Sequence, residues 1–185
     1  AFEKAGIIKP GTTVVVGETK PEALAVIRRV GQEQRARVVL AADDVRIDER
    51  FESGRATIDV TTPVRAYGPV TLGLRGRHQV QNAVVAIRLA EALADAGVPI
   101  DDTSVARGLA ATRWPGRLDL VEAGGGRQVL VDAAHNPAGA RALADYLAEV
   151  HPSGLPVVFG VMRDKHADAM LTTLRPHATR IVMTE

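Results

Sequence analysis

Two side chains able to do polar chemistry follow directly after a short apolar run in the second half of the chain. Residues 128–131 form a β-branched and aliphatic stretch typical of a buried strand, and Asp132 stands where that strand should end. His135 comes just before Asn136 and Pro137, a pair that favours the start of a helix. Ligands of open α/β sheets bind at such strand ends and helix starts. The spacing therefore predicts a binding or catalytic edge, although a turn-capping Asp132 and a surface-loop His135 would fit equally well.

A second polar group stands at the predicted start of a long apolar helix. His78, Gln79 and Asn82 are spaced so that their side chains can share one face of its first turn. Amide side chains both donate and accept hydrogen bonds, which suits the edge of an adenine ring. The alternative is that His78 or Gln79 only caps the helix.

A third motif is Arg113-Trp-Pro-Gly-Arg117, in which a rigid turn precedes an arginine. A guanidinium can hold phosphate oxygens bidentately and stabilise charge that develops during phosphoryl transfer. A single arginine is more often a solvated surface charge. Arg113 is therefore kept as a substitute candidate for Arg117.

These three motifs, in this order, resemble the folylpolyglutamate synthase and dihydrofolate synthase family of the Mur ligase superfamily. The opening segment 3–11 and the segment 160–165 also look like that family, so the resemblance covers essentially the whole chain. It implies an α/β fold: the later part of a Mur-ligase-type ATPase domain over residues 1–114, then the start of a Rossmann-like C-terminal ligase domain over residues 115–185. Asp164 and Lys165 match a family loop, but His166 departs from its usual Asp, so no role is assigned there.

The resemblance implies ATP-dependent addition of L-glutamate to dihydropteroate, to folates, or to both, through an acyl phosphate. It gives Gln79, Asn82, Arg117 and Asp132 roles in binding ATP. It places Arg117 and His135 at the reacting centre, where His135 would contact the incoming amino acid or the acyl phosphate.

The resemblance also implies Mg²⁺, and it leaves room for a monovalent cation. Lys4 matches a family lysine that can be carbamylated, which would turn it into an oxygen ligand of the kind that Mg²⁺ prefers. Read alone, Lys4 is an ordinary surface lysine.

The chain contains no Gly-x-x-x-x-Gly-Lys-[Ser/Thr] phosphate loop, and Gly124-Gly-Gly126 lacks the lysine. We therefore expect the chain to be the later part of a ligase and to be inactive alone. Two rivals stay open. One is a muramyl-peptide ligase of the same superfamily. The other is a non-catalytic, Rossmann-like nucleotide-binding module, which would have no phosphate loop in its native form.

Composition excludes several classes of protein. With 46% hydrophobic and 24% charged residues the chain can bury a core, and its net charge of +1 offers no case for nucleic acid binding. There is no apolar run near the roughly 20 residues that span a bilayer and no cysteine, which fits a reducing compartment. We predict a cytoplasmic monomer that binds neither nucleic acid nor membrane.

The elements that must position these motifs follow from periodicity and breakers. The patterns predict a parallel β-α-β unit over 12–41, an antiparallel hairpin or meander over 55–75, and helices over 79–96 and 101–111. Beyond Trp114 they predict a hairpin over 118–131 that turns at the three glycines, a helix over 137–150, a strand over 156–161, a helix over 167–174 and a strand from 180.

Overall fold

The structure is a computed structural model, and it describes residues 1–17, 20–162 and 165–184. Helices and strands alternate along most of the described chain, which confirms the predicted α/β class. The helices are α1 Phe2–Ala5, α2 Pro21–Glu33, α3 His78–Asp95, α4 Asp102–Ala111, α5 Pro137–Val150 and α6 Ala167–Leu174. The strands are β1 Thr13–Val16, β2 Arg37–Leu40, β3 Arg46–Glu52, β4 Arg55–Thr61, β5 Ala66–Thr71, β6 Asp119–Glu122, β7 Gln128–Val131, β8 Leu155–Phe159 and β9 Ala178–Met183.

Two compact units share the chain and alternate along it. The first contains Ala1–Glu49, Ile58–Val70 and Val80–Leu109, and the second contains Arg50–Thr57, Thr71–Gln79 and Ala110–Glu185. The predicted domain division between residues 114 and 115 is a division along the sequence, and it stays a prediction.

In the first unit, β1, α2 and β2 form the predicted parallel β-α-β unit. Thr13 is in register with Arg37, and Val16 is in register with Leu40. Gly31 lies on the face of α2 that packs on β2, where an added Cβ would come within 2.6 Å of a Val38 methyl carbon. A glycine at this position therefore lets the helix approach the strand closely.

The predicted meander is a three-stranded sheet in the order β3-β4-β5. Its β4–β5 pairing is antiparallel, since Leu72 donates to Ala56 O while Thr62 donates to Arg65 O. Strand β3 was not predicted. Its sequence, RIDERFE, is mostly charged and exposed, so it lacks the apolar alternation by which a half-buried strand is recognised.

In the second unit, β6 and β7 pair antiparallel as predicted, and all three glycines of their turn have positive φ. Helix α5 begins as predicted, because the Asn136 side chain accepts from Gly139 N at 2.9 Å and Pro137 occupies its first turn. Strands β8 and β9 are parallel. One hydrophobic core lies between these elements: Ala140, Ala144 and Leu147 of α5, Phe159 of β8, and Met170 and Leu174 of α6.

Among the described residues, no helix combines the length and the apolar character needed to cross a bilayer.

Candidate functional site

The Pro-Gly-Arg loop is bonded to the loop that follows β7. Ala133 N donates to Gly116 O at 2.7 Å, and Leu118 N donates to Asp132 Oδ2 at 2.9 Å. Gly116 has φ +73°, and Leu118, which is 1% exposed, has φ +46°. Leucine rarely adopts this left-handed backbone conformation. Because it is not the conformation of a strand, β6 begins at Asp119, one residue after the predicted start at Leu118. Two motifs 14 residues apart are thus held as one structural piece.

The Asp132 carboxylate organises this piece from the end of β7. It is half-buried, Oδ2 accepts from Leu118 N, and Oδ1 accepts from Ala134 N at 2.9 Å. An ionised carboxylate has about four acceptor positions on its two oxygens. Two backbone bonds therefore leave it able to accept further hydrogen bonds, such as those from ribose hydroxyls.

Arg117 is exposed and lies at a cavity of about 140 Å³ with an excess of positive charge. Arg55, Arg75 and Arg113 line the same cavity, and Asp119 is its only described acidic residue. Arg75 donates to Ser53 O at 2.9 Å. Like charges gathered at one cavity raise the affinity for anions, so this environment suits phosphate oxygens. Both arginines that the sequence singled out, Arg117 and Arg113, lie here.

At the start of α3, a close backbone turn holds the His78 ring. Gly76 has φ +94°, and a Cβ there would come within 2.7 Å of both the His78 ring and a Leu118 methyl carbon. His78 Nε2 lies 2.9 Å from Gln79 Nε2, and Gln79 is 5% exposed. Burial lowers the pKa of His78 below its ordinary 6.5, while the charge of Asp132 raises it and that of Arg117 lowers it. His78 is therefore neutral at pH 7 and sits within the electrostatic reach of two predicted site residues.

Asn82 lies on α3 one turn beyond His78, and its side chain is exposed. It belongs to the first compact unit, whereas Gln79, Arg117, Asp132 and His135 belong to the second. Its predicted contact with adenine stays a prediction.

His135 is exposed and its ring is oriented by its own loop. Its Nδ1 lies 3.1 Å from Ala133 O. A carbonyl oxygen can only accept, so Nδ1 carries the proton, and Nε2 is the nitrogen available to a ligand. Ala133 also donates to Gly116 O, and the loop that orients His135 is therefore bonded to the Pro-Gly-Arg loop as well.

Lys4 lies on the short helix α1 and is exposed. Within the described ranges, no three His, Asp or Glu side chains are grouped so as to bind one metal ion. A carbamylated Lys4 would supply a single ligand there. The described residues alone therefore do not make a Mg²⁺ site, and the metal role of Lys4 stays a prediction. Asp164 lies outside the described residues.

The structure thus brings the motifs at His78, Arg117 and Asp132 together within the second unit. The structure adds to the candidate site two groups that sequence reasoning missed. They are the Leu118 backbone N–H, which donates to Asp132, and Gly76, which packs against the His78 ring. A positive φ at Leu118 has no sequence signal, since leucine is not a residue that favours it. The glycine two residues before His78 was a usable signal, because glycine often marks a close backbone approach.

The chain is similar to known proteins in sequence and in structure. Residues 116–185 match the family described as Mur ligase, glutamate ligase domain. The chain is 35% identical over its whole length to the dihydrofolate synthase/folylpolyglutamate synthase of Mycobacterium tuberculosis, of which it covers 39%. The structure of the M. tuberculosis folylpolyglutamate synthase complexed with ADP matches 100% of the chain and 42% of its own, with a TM-score of 0.85 and 33% identity. A diaminopimelate-adding UDP-N-acetylmuramoyl-dipeptide ligase of Corynebacterium efficiens is 37% identical, but over 63% of the chain and 21% of its own length.

Residues 116–185 thus match a Mur ligase domain, and the chain over its whole length is similar to folylpolyglutamate synthases and dihydrofolate synthases. The resemblance seen in the sequence is confirmed. The chain spans about two fifths of the length of these folate-family relatives.

Proposed function

We propose that the full-length protein containing this chain is an ATP-dependent ligase that adds L-glutamate to dihydropteroate, to folates, or to both. The observation that carries the proposal is the bonding of the Arg117 loop to the Asp132 loop, at 2.7 Å and 2.9 Å. These hydrogen bonds keep two groups close together: the Arg117 guanidinium, proposed to bind phosphate, and the Asp132 carboxylate, proposed to bind ribose hydroxyls. The family's names and the ADP bound by the M. tuberculosis relative support the same reading.

The proposed reaction has two steps. A substrate carboxylate attacks the γ-phosphorus of ATP, which forms an acyl phosphate and releases ADP. The α-amino group of glutamate then attacks the acyl carbon, phosphate leaves, and the amine loses its proton as the amide forms. Charge builds up on phosphoryl oxygens in the first step and on the acyl carbonyl oxygen in the second.

Each described residue has a defined task in this proposal. Asp132 accepts hydrogen bonds from the ribose, and Gln79 and Asn82 contact the adenine edge. Arg117 stabilises phosphoryl charge from within an arginine-rich cavity. His135, whose Nδ1 is engaged by Ala133 O, presents Nε2 to the glutamate amine or to the acyl phosphate. Orientation of the reactants and neutralisation of charge are the main contributions of such a site.

Mg²⁺ enters the proposal only through the family, where it would neutralise phosphate charge. No step here is assigned to it, because the described residues supply no complete ligand set. Monomeric state and cytoplasmic location likewise stay predictions.

The test is a phosphate-release assay on the full-length protein with ATP, Mg²⁺ and L-glutamate. Separate reactions contain dihydropteroate, tetrahydrofolate, or a UDP-muramyl dipeptide together with 2,6-diaminopimelate, and controls omit the amino acid. We expect release that requires both glutamate and a pterin substrate. Release with the UDP-muramyl substrate alone would favour the second candidate, which the match to the Corynebacterium ligase supports. ATP binding without release on any substrate would favour the non-catalytic module.

A further inference from the structure

Two arginines that line the Arg117 cavity have no task in the proposed reaction. Arg55 begins β4, Arg75 lies between β5 and α3, and both residues are half-buried. One Arg75 nitrogen donates to Ser53 O at 2.9 Å. The Arg55 guanidinium is paired with no acceptor among the described residues. Because a partly buried charge without an acceptor is costly, these two groups favour an anion in the cavity.

The lining of this cavity combines positive and apolar groups. Trp114 and Leu120, which are 64% and 37% exposed, line it beside the arginines. A phosphate group has no apolar part, whereas every unit of a γ-linked glutamyl chain carries a free α-carboxylate and a pair of methylene groups. Methylene groups gain free energy when they leave water for apolar side chains. The lining therefore suits a glutamyl chain better than a second phosphate.

The position of the cavity at Arg117 agrees with such a ligand. In the proposed reaction, Arg117 contacts the phosphoryl group that is transferred to the acceptor carboxylate. In a folate this is the γ-carboxylate of the terminal glutamate, and only the Cα, Cβ and Cγ carbons separate it from an α-carboxylate. That α-carboxylate must therefore lie close to the Arg117 ligand. Dihydropteroate has no such group, since its acceptor carboxylate is bonded to an aromatic ring.

We propose that Arg55 and Arg75 are specificity-determining residues, which bind the α-carboxylates of an already glutamylated folate and do not contribute to the use of dihydropteroate. The inference rests on the proposed function and deepens it, because it separates two of the proposed substrates. Guanidinium groups bind carboxylates bidentately. Such a contact would hold the neighbouring γ-carboxylate in place for its attack on ATP.

The experiment measures kcat/KM of the full-length protein for dihydropteroate, for tetrahydrofolate and for tetrahydrofolate triglutamate. Arg55→Gln should lower kcat/KM about tenfold or more for both folates, the loss expected for a hydrogen bond between charged groups, and should leave the value for dihydropteroate within about twofold. Arg55→Lys keeps the charge but not the planar fork, so it should lose less. Arg141→Gln, which removes an exposed arginine from α5, is the matched control and should change none of the three values.

Arg75→Gln should act in the same direction as Arg55→Gln. Because Arg75 also bonds to Ser53 O, its loss should lower stability as well. A loss of folded protein lowers the use of all three substrates equally, whereas loss of the carboxylate contact lowers the use of the folates alone. The value for dihydropteroate therefore separates the two effects.

Calorimetric titration with dihydropteroate and with tetrahydrofolate triglutamate gives a readout that needs no turnover. Arg55→Gln should weaken binding of the triglutamate about tenfold and leave that of dihydropteroate unchanged. If no substrate gives glutamate-dependent phosphate release, the proposed function fails, and the titration alone decides whether the carboxylate site exists. If release occurs but Arg55→Gln affects folates and dihydropteroate equally, or affects neither, the inference is overturned and the proposed function stands. An unmodified protein that binds no triglutamate would overturn the inference as well.

Discussion

The Asp132 carboxylate accepts a hydrogen bond at 2.9 Å from the backbone N–H of Leu118, a leucine with φ +46°. The bond joins the end of β7 to the residue just after Arg117. It holds a backbone conformation that leucine rarely adopts and that costs about 1 kcal/mol or more. Asp132 therefore has a structural task beside its proposed contact with ribose.

Asp132→Ala should affect both stability and nucleotide binding. Loss of two charge-assisted backbone bonds should lower the free energy of unfolding by about 1–3 kcal/mol, measured by urea denaturation. In the full-length protein it should mainly raise KM for ATP, as Asn82→Ala should, because ribose and adenine contacts are similar in ground and transition states. Asp145→Ala, on the exposed face of α5, is the control and should change neither quantity. An unchanged unfolding free energy in Asp132→Ala would show that the bond to Leu118 contributes nothing.

Arg117→Ala should lower kcat by about a hundredfold or more, because its charge matters most while phosphoryl transfer proceeds. Its stability should change by less than about 0.5 kcal/mol, since the side chain is exposed. Arg113→Ala is the matched control, as it removes an exposed arginine from the same cavity. Steady-state kinetics of the full-length protein would decide. If Arg117→Ala keeps kcat within about twofold and Arg113→Ala does not, the transition-state role belongs to Arg113.

His135→Ala should weaken the use of glutamate far more than the binding of ATP. Loss of a hydrogen bond between Nε2 and a charged group corresponds to roughly 1.5–3 kcal/mol, or about ten- to a hundredfold in kcat/KM for glutamate. The exposed ring predicts an unchanged melting temperature. Unchanged glutamate kinetics together with a lowered melting temperature would instead identify His135 as a structural residue of its loop.

Stability should depend on pH through His78. Its pKa in the folded protein lies below the ordinary 6.5, so the unfolded chain binds more protons between those two values. The free energy of unfolding should be at its full value above pH 6.5, and should fall as the pH drops through 6.5 towards the lowered pKa. The difference between the protein and His78→Asn, measured by urea denaturation from pH 5 to pH 8, isolates this contribution. A difference that does not change with pH would contradict it.

A buried network in the first unit gives a test that is independent of the site. Glu91, 8% exposed, accepts from Thr62 and Tyr67 hydroxyls and pairs with Arg88 at 2.6 Å. Burial and the Glu91 charge raise the pKa of Tyr67 to about 12. Glu91→Ala leaves the Arg88 charge buried and should cost about 3 kcal/mol or more. Tyr67→Phe should cost about 1 kcal/mol, and Asp95→Asn, which breaks an exposed ion pair, should cost less than about 0.5 kcal/mol. Equal losses in all three would mean that the network is no stronger than a surface pair.

Local signals in the sequence were enough for most elements. The apolar run before Asp132, the Asn136-Pro137 helix start and the glycine turn between β6 and β7 act over a few residues, and the structure confirms the strand, the helix start and the turn. The prediction that this strand is buried is wrong, because Val129 and Val131 are exposed. Strand β3 was missed because its charged residues carry no apolar alternation, and its pairing with β4 is a contact that only the folded chain makes.

The sequence by itself determined which residue types are available to the site: an acid after a strand, an arginine after a rigid turn, and a histidine and amides at a helix start. Tertiary structure alone decided how they are joined. The Asp132–Leu118 hydrogen bond and the packing of Leu118 at Gly76 link segments 14 and 42 residues apart, and Leu118 takes a left-handed backbone conformation between them. Such links depend on backbone hydrogen bonds and on burial. Every residue type carries the same backbone groups, so the residue types alone do not specify which groups pair. Residue spacing therefore names the groups that can react, while folding sets their orientation and their charge environment.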